Sequence, residues 1–129
     1  MAETKKKIVL VDDEIDFLEI MKTRFVANDY IVKMTSNGSE ALELVRKEKP
    51  DAVMLDILMP GIDGLDILKK IRAENPRIPI FMMTAFSNEE RRDIANRFNA
   101  SDFILKTNDL QSEIDKITSA IDISSRNKK

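Results

Sequence analysis

Three aspartates, one threonine and one lysine follow directly on short apolar runs. Asp12 and Asp13 come after Ile8–Val11, Asp56 after Ala52–Leu55, Thr84 after Ile78–Met83 and Lys106 after Phe103–Leu105. Brought together, three carboxylates would carry −3 and either repel one another or hold protons. One lysine brings the sum to −2, and one divalent cation brings it to zero. The chain has no histidine and no cysteine, so the ligands on offer are carboxylates and backbone carbonyls. These suit a hard cation, Mg²⁺ or Mn²⁺ in its place. A site that holds such an ion with few protein ligands and sets Lys and Thr beside it suits a phosphoryl group. The cation and Lys106 would neutralise the phosphoryl oxygens, the Thr84 hydroxyl would donate to one, and a carboxylate would be the acceptor. Asp56 is the natural nucleophile, because it stands singly and ends the central run.

These residues meet only if the apolar runs are neighbouring strands of one sheet. A short run without alternation fits a strand buried on both faces, which describes Ile8–Val11 and Ala52–Leu55. Tyr30–Met34 alternates loosely as a second strand, Ile78–Met83 is a fourth with Pro79 near its start, and Phe103–Leu105 is a fifth. Between them lie helical spacings: Phe17, Leu18, Met21 and Phe25; Ala41, Leu42 and Val45 after the turn residues Ser36, Asn37 and Gly38; Leu65, Leu68 and Ile71 up to Asn75 and Pro76. Ser87 with Glu90 is a candidate capping box for a fourth helix carrying Ile94 and Phe98. Leu110, Ile114, Ile117 and Ile121 mark a fifth. Met59–Gly64, with two of the three glycines, reads as a loop in which Asp63 is a loop-capping carboxylate.

Five strands alternating with five helices predict an α/β fold. The expected form is a doubly wound, flavodoxin-like parallel sheet of order 2-1-3-4-5, covered on both faces. Its ligand crevice lies at the carboxyl ends of strands 1 and 3, where Asp12, Asp13 and Asp56 stand. The folded domain is expected over residues 7–122, with a polar extension at 1–6 and a polar tail at 123–129.

Composition narrows the classes of function. At 129 residues the chain is one domain's worth. Without cysteine or histidine, thiol nucleophiles, Ser-His-Asp chemistry and soft metal sites are excluded. The 21 basic and 23 acidic residues nearly cancel, to −2, which argues against a whole-molecule grip on nucleic acid or an anionic membrane. No apolar run approaches the roughly eighteen residues of a membrane span. Lys5–Lys7 precede only Ile8–Val11, too short a core for a signal peptide. A cytoplasmic location is expected.

The set Val11-Asp12-Asp13-Glu14, Asp56 with Met59-Pro60 and Asp63-Gly64, Thr84-Ala85, and Phe103 three residues before Lys106 resembles the response-regulator receiver domain of two-component signalling, chemotaxis regulators included. The motifs stand in order and in register from about Lys7 to Ile121. The resemblance implies that Asp56 accepts a phosphoryl group from the phosphohistidine of a histidine kinase or phosphotransfer protein. It implies that Asp13, Asp12 (mostly through water), Asp56 and the Leu58 carbonyl hold Mg²⁺. Thr84 would be the switch hydroxyl, Lys106 its partner on the phosphoryl group, and Phe103 the aromatic that turns inward. The readout would be the face of helix 4, strand 5 and helix 5, which meets a downstream protein, and phosphorylation would leave dimerisation open to it. Such a domain is no enzyme beyond its own phosphorylation and slow self-dephosphorylation, and touches neither nucleic acid nor membrane itself.

Two departures stand out. Thr107 follows the lysine where the family usually has proline, so the Lys106 peptide is expected to be trans and the loop into helix 5 differently placed. Leu58 and Phe86, each two residues beyond a site residue, are apolar where polar side chains often orient the hydrolytic water, so slow dephosphorylation is expected.

Other readings of the same residues are a helix cap for Asp12 or Asp13, an ordinary strand residue for Thr84, a solvated lysine at 106 and plain core for Phe103. The competing functions are a phosphate-independent interaction module (a pseudo-receiver) and a doubly wound enzyme or cofactor carrier. Retention of all five polar residues speaks against the first. Asp-Asp-Glu after strand 1, in place of a Gly/Ser/Thr-rich phosphate loop, speaks against the second, as does Leu58 where an aspartyl-phosphate hydrolase wants a second aspartate. A stand-alone receiver and a receiver within a longer chain both fit the sequence.

Overall fold

A computed structural model of the chain describes residues 5–59, 61–84, 93, 96–97, 100–106 and 109–126; for Leu58, Ile62, Thr84, Asp102, Phe103, Leu105, Ser125 and Arg126 it describes the backbone. The main sheet contains β1 (Lys7–Val11), β2 (Ile31–Thr35), β3 (Ala52–Asp56), β4 (Ile80–Thr84) and β5 (Asp102–Leu105). All its pairings are parallel, and the strands lie in the order 2-1-3-4-5. Helices α1 (Ile15–Ala27), α2 (Ala41–Glu48) and α3 (Gly64–Glu74) intervene, and a C-terminal helix runs over Leu110–Arg126. The expected doubly wound sheet is present. Of the expected fourth helix, Ser87, Glu90, Ile94 and Phe98 lie outside the described residues, whereas Asp93, Asn96 and Arg97 are helical.

Alternation within the buried strands divides the core in two. Val9, Val11, Val53, Leu55, Ile80 and Met82 face Ala41 and Val45 of α2 and Leu65, Leu68 and Ile71 of α3. Ile8, Leu10, Met54, Phe81, Met83 and Ile104 point the other way, onto Leu18, Met21 and Phe25 of α1 and Ile114, Ile117 and Ile121 of the C-terminal helix. Each such side chain contributes roughly 1.5–3 kcal/mol when fully buried, so both layers hold the sheet. Every residue of β3 is buried, whereas β2, an edge strand, is largely exposed or half-buried. That gradient is why β1 and β3 read as unbroken apolar runs and β2 does not.

Three details differ from expectation. Residues Leu58–Met59 and Ile62–Asp63 form a two-residue antiparallel ribbon around the turn at Gly61, so the stretch read as a loop is partly paired. Strand β4 starts at Ile80, with Ile78 and Pro79 ahead of it; the Pro79 carbonyl still accepts from Val53 N–H at 3.0 Å. The C-terminal helix continues through Arg126, into the stretch expected as a polar tail. Asp63, read as a loop-capping carboxylate, caps α3, accepting from Leu65 N–H at 2.9 Å.

Gly64 opens α3 directly against the end of β3. Its N–H donates to the Ile57 carbonyl at 2.8 Å. A Cβ at this position would collide with the Asp56 carbonyl oxygen and lie 2.8 Å from Ile57 Cα. Gly61, by contrast, has φ +74 with open space around the missing Cβ. Overpacking against backbone costs about 1–3 kcal/mol, and an alanine at positive φ roughly 1 kcal/mol. Gly64→Ala is therefore expected to lower the urea midpoint more than Gly61→Ala; equal effects would contradict the close approach at β3.

Candidate functional site

Parallel register carries the polar residues to one end of the sheet. Val11 pairs with both Thr35 and Leu55, so Asp12 emerges beside Asp56, one step further along each strand. Asp56 pairs with Met83, and Thr84 pairs with Leu105, which places Lys106 just beyond β5. Asp12 N–H donates to the Thr35 carbonyl at 3.3 Å, extending the ladder to the strand end.

The carboxylate oxygens of Asp12, Asp13 and Asp56 come within 4.8 Å of one another. Asp12 and Asp56 are buried, and Asp13 is the more exposed of the three. Lys106 reaches across from β5 with Nζ 2.8 Å from Asp12 Oδ2 and 3.3 Å from Asp56 Oδ2. It also contacts the Glu14 carboxylate, and its ammonium lies 5.0 Å from the centre of the Phe17 ring. Asp12 Oδ1 accepts the backbone N–H of Glu14 at 2.9 Å. Asp12 therefore performs the turn role open to an aspartate before a helix, with its other oxygen turned to Lys106.

Burial raises the Asp12 carboxyl above its ordinary value, although Lys106, the Glu14 N–H and Asp56 all pull it down. Burial works against the Lys106 charge too, but Asp12, Glu14 and Asp56 outweigh it and hold the ammonium above the usual lysine value. Desolvation thus raises Asp12 while the lysine stays charged. Three oxygen donors at this spacing, two of them buried carboxylates, fit a hard divalent cation.

Of the residues singled out from sequence, Asp12, Asp13, Asp56 and Lys106 are brought together. Thr84 and Phe103 take their expected places in β4 and β5 by backbone, and Leu58 follows β3 in the short ribbon. Thr107 and Phe86 lie outside the described residues. Two contributors were not singled out. Glu14 read only as the third member of an acidic run, and Phe17 only as part of the apolar face of α1. The available signal was their position one and four residues after the Asp12-Asp13 pair.

Residues 8–118 match the family described as the response regulator receiver domain. The chain belongs to that family. This receiver is 39% identical over 104 residues to the probable transcriptional regulator ycf27 of Guillardia theta, a match covering 81% of this chain and 41% of that protein. It is 34% identical over 101 residues to the alkaline phosphatase synthesis transcriptional regulatory protein PhoP of Bacillus subtilis, covering 78% and 42%. The receiver spans about four tenths of the length of these curated relatives. In fold it is similar to a CheY-like receiver domain protein of Methanospirillum hungatei, with TM-score 0.91 at 22% identity over 96% of this chain and 99% of that one. It is also similar to the BeF3-activated N-terminal receiver domain of Klebsiella pneumoniae RstA, with TM-score 0.82 at 29% identity over 89% and 97%. Among the described residues no helix is long and apolar enough to cross a membrane.

The raised Asp12 carboxyl makes a prediction for the receiver in chelator. A carboxyl that binds its proton more tightly folded than unfolded adds stability below its unfolded pKa and loses it as pH rises through the folded value. Asp12→Asn should therefore melt higher than wild type at neutral pH, and the gap should close as pH falls through the carboxylate range. A variant that melts lower at neutral pH would contradict this assignment.

Proposed function

We propose that this receiver takes a phosphoryl group onto Asp56 from the phosphohistidine of a histidine kinase or phosphotransfer protein, and signals by the resulting change of conformation. The observation that carries the reading is the buried Asp56 carboxylate beside Asp12, Asp13 and the Lys106 ammonium at the strand ends. An Asp56 oxygen attacks phosphorus, a P–O bond forms, and the P–N bond breaks with its electron pair going to the imidazole nitrogen. Asp12, Asp13, Asp56 and the Leu58 carbonyl would hold Mg²⁺, or Mn²⁺, which when bound neutralises charge on the phosphoryl oxygens. Lys106 already lies within reach of Asp56, and it offers a second positive charge to the transferred group. Thr84 donates its hydroxyl to a phosphoryl oxygen, and Phe103 turns into the space left behind it.

The modification is a population shift. It adds charge and acceptor oxygens at Asp56 and favours the state in which Thr84 and Lys106 face them. The changed surface is that of β5 and the C-terminal helix, together with the segment preceding β5. Relatives described as transcriptional regulators support a downstream protein target or an attached output module as the reader of that surface. With Leu58 and Phe86 apolar, no side chain at either position orients a water, and loss of the phosphoryl group is slow.

Incubation with acetyl phosphate tests this directly. Intact-protein mass should show one phosphoryl addition that requires Mg²⁺ and is absent in Asp56→Asn. No addition from acetyl phosphate or from a phosphorylated kinase would remove the phospho-acceptor role and leave a phosphate-independent interaction module.

A further inference from the structure

Glu14 holds the N-cap position of α1, yet its side chain makes no capping hydrogen bond. The carboxylate turns instead to Lys106, 92 residues away in sequence. Glu14 is 60% exposed where Lys106 is only 8% exposed, so this ion pair sits on the rim of the pocket with its cationic half sunk inside. An ammonium has three donors, and here three carboxylates face it: Asp12 and Asp56 from within, Glu14 from outside. The Phe17 ring lies alongside and limits where the ammonium can go.

A new anion at Asp56 needs one of those donors. Giving up Asp12 would part a buried carboxylate from its counter-charge, which is costly wherever no cation takes the ammonium's place. Giving up Glu14 returns an exposed carboxylate to water, which costs little.

We propose that Glu14 is a positioning residue that holds the Lys106 ammonium toward the rim in the resting protein and releases it when an anion arrives at Asp56. Glu14 thereby biases the switch toward its resting state. The inference rests on Asp56 being the phospho-acceptor.

Beryllofluoride binding at saturating Mg²⁺, read as a dissociation constant, tests it. Glu14→Gln should bind roughly two- to five-fold tighter than wild type, the scale of an exposed ion pair. Glu14→Asp keeps the charge but shortens the reach to Lys106, and should also bind tighter. In a Lys106→Met background (Lys106→Gln where the methionine variant does not fold) the Glu14→Gln gain should vanish. An equal gain in that background, with Glu14→Asp behaving as wild type, would make Glu14 a source of field on the anion and overturn its hold on the lysine. Unchanged or weaker binding by Glu14→Gln would overturn the bias itself. Wild type that binds no beryllofluoride would overturn the phospho-acceptor reading first, and this inference with it.

Discussion

Asp12 and Asp56 are both out of water at the ends of adjacent strands, and two carboxylates so placed need a counter-charge. Lys106 brings it from two strands away, so the pocket is closed only when β4 and β5 have been laid down beside β3. The order 2-1-3-4-5 is thus an electrostatic requirement as well as a packing solution. Moving the lysine-bearing strand to the other edge would put β2 and β1 between Lys106 and Asp56. The close seating of Gly64 against the Asp56 carbonyl serves the same end, since it fixes the backbone from which the central carboxylate projects.

Most of this arrangement was readable in the residues. Strands buried on both faces are unbroken apolar runs, so β1 and β3 announced themselves, and each ends where its first aspartate stands. Parallel pairing brings like ends of strands together, which made a list of strand ends a list of neighbours. What escaped has physical reasons. A ribbon of two residues a side has no period to detect, so Leu58–Met59 with Ile62–Asp63 read as loop. Ile78 looked like strand because it is apolar and buried, but it packs ahead of β4 and pairs with no strand. The C-terminal helix outran its apolar spacing because Ile123 is exposed and the other residues of its last turn are polar in sequence. Glu14 escaped because its role depends on where Lys106 points, and a side chain's direction across the sheet is not written in local spacing.

The receiver family membership and the geometry make one picture of how a small domain can signal. Its resting pocket is a balance of buried negative charge against one shared ammonium. Phosphorylating the ionised Asp56 carboxylate would exchange its single negative charge for about two on the acyl phosphate, a net change of about one charge set against the few kcal/mol that separate conformations of a folded domain. The relatives that carry such a domain within proteins more than twice its length are described as transcriptional regulators. The proposed switch would suit an output module in one chain or a separate protein.

Asp56 is proposed to receive the phosphoryl group within a cation-holding acidic pocket closed by Lys106. A crystal structure of the receiver with Mg²⁺ and beryllofluoride tests this. Beryllofluoride is expected on an Asp56 oxygen, with the ion held by Asp12, Asp13 and Asp56 and the Lys106 ammonium turned to the fluoride atoms. Beryllofluoride seated on another carboxylate, or an ion held away from these three aspartates, would contradict it.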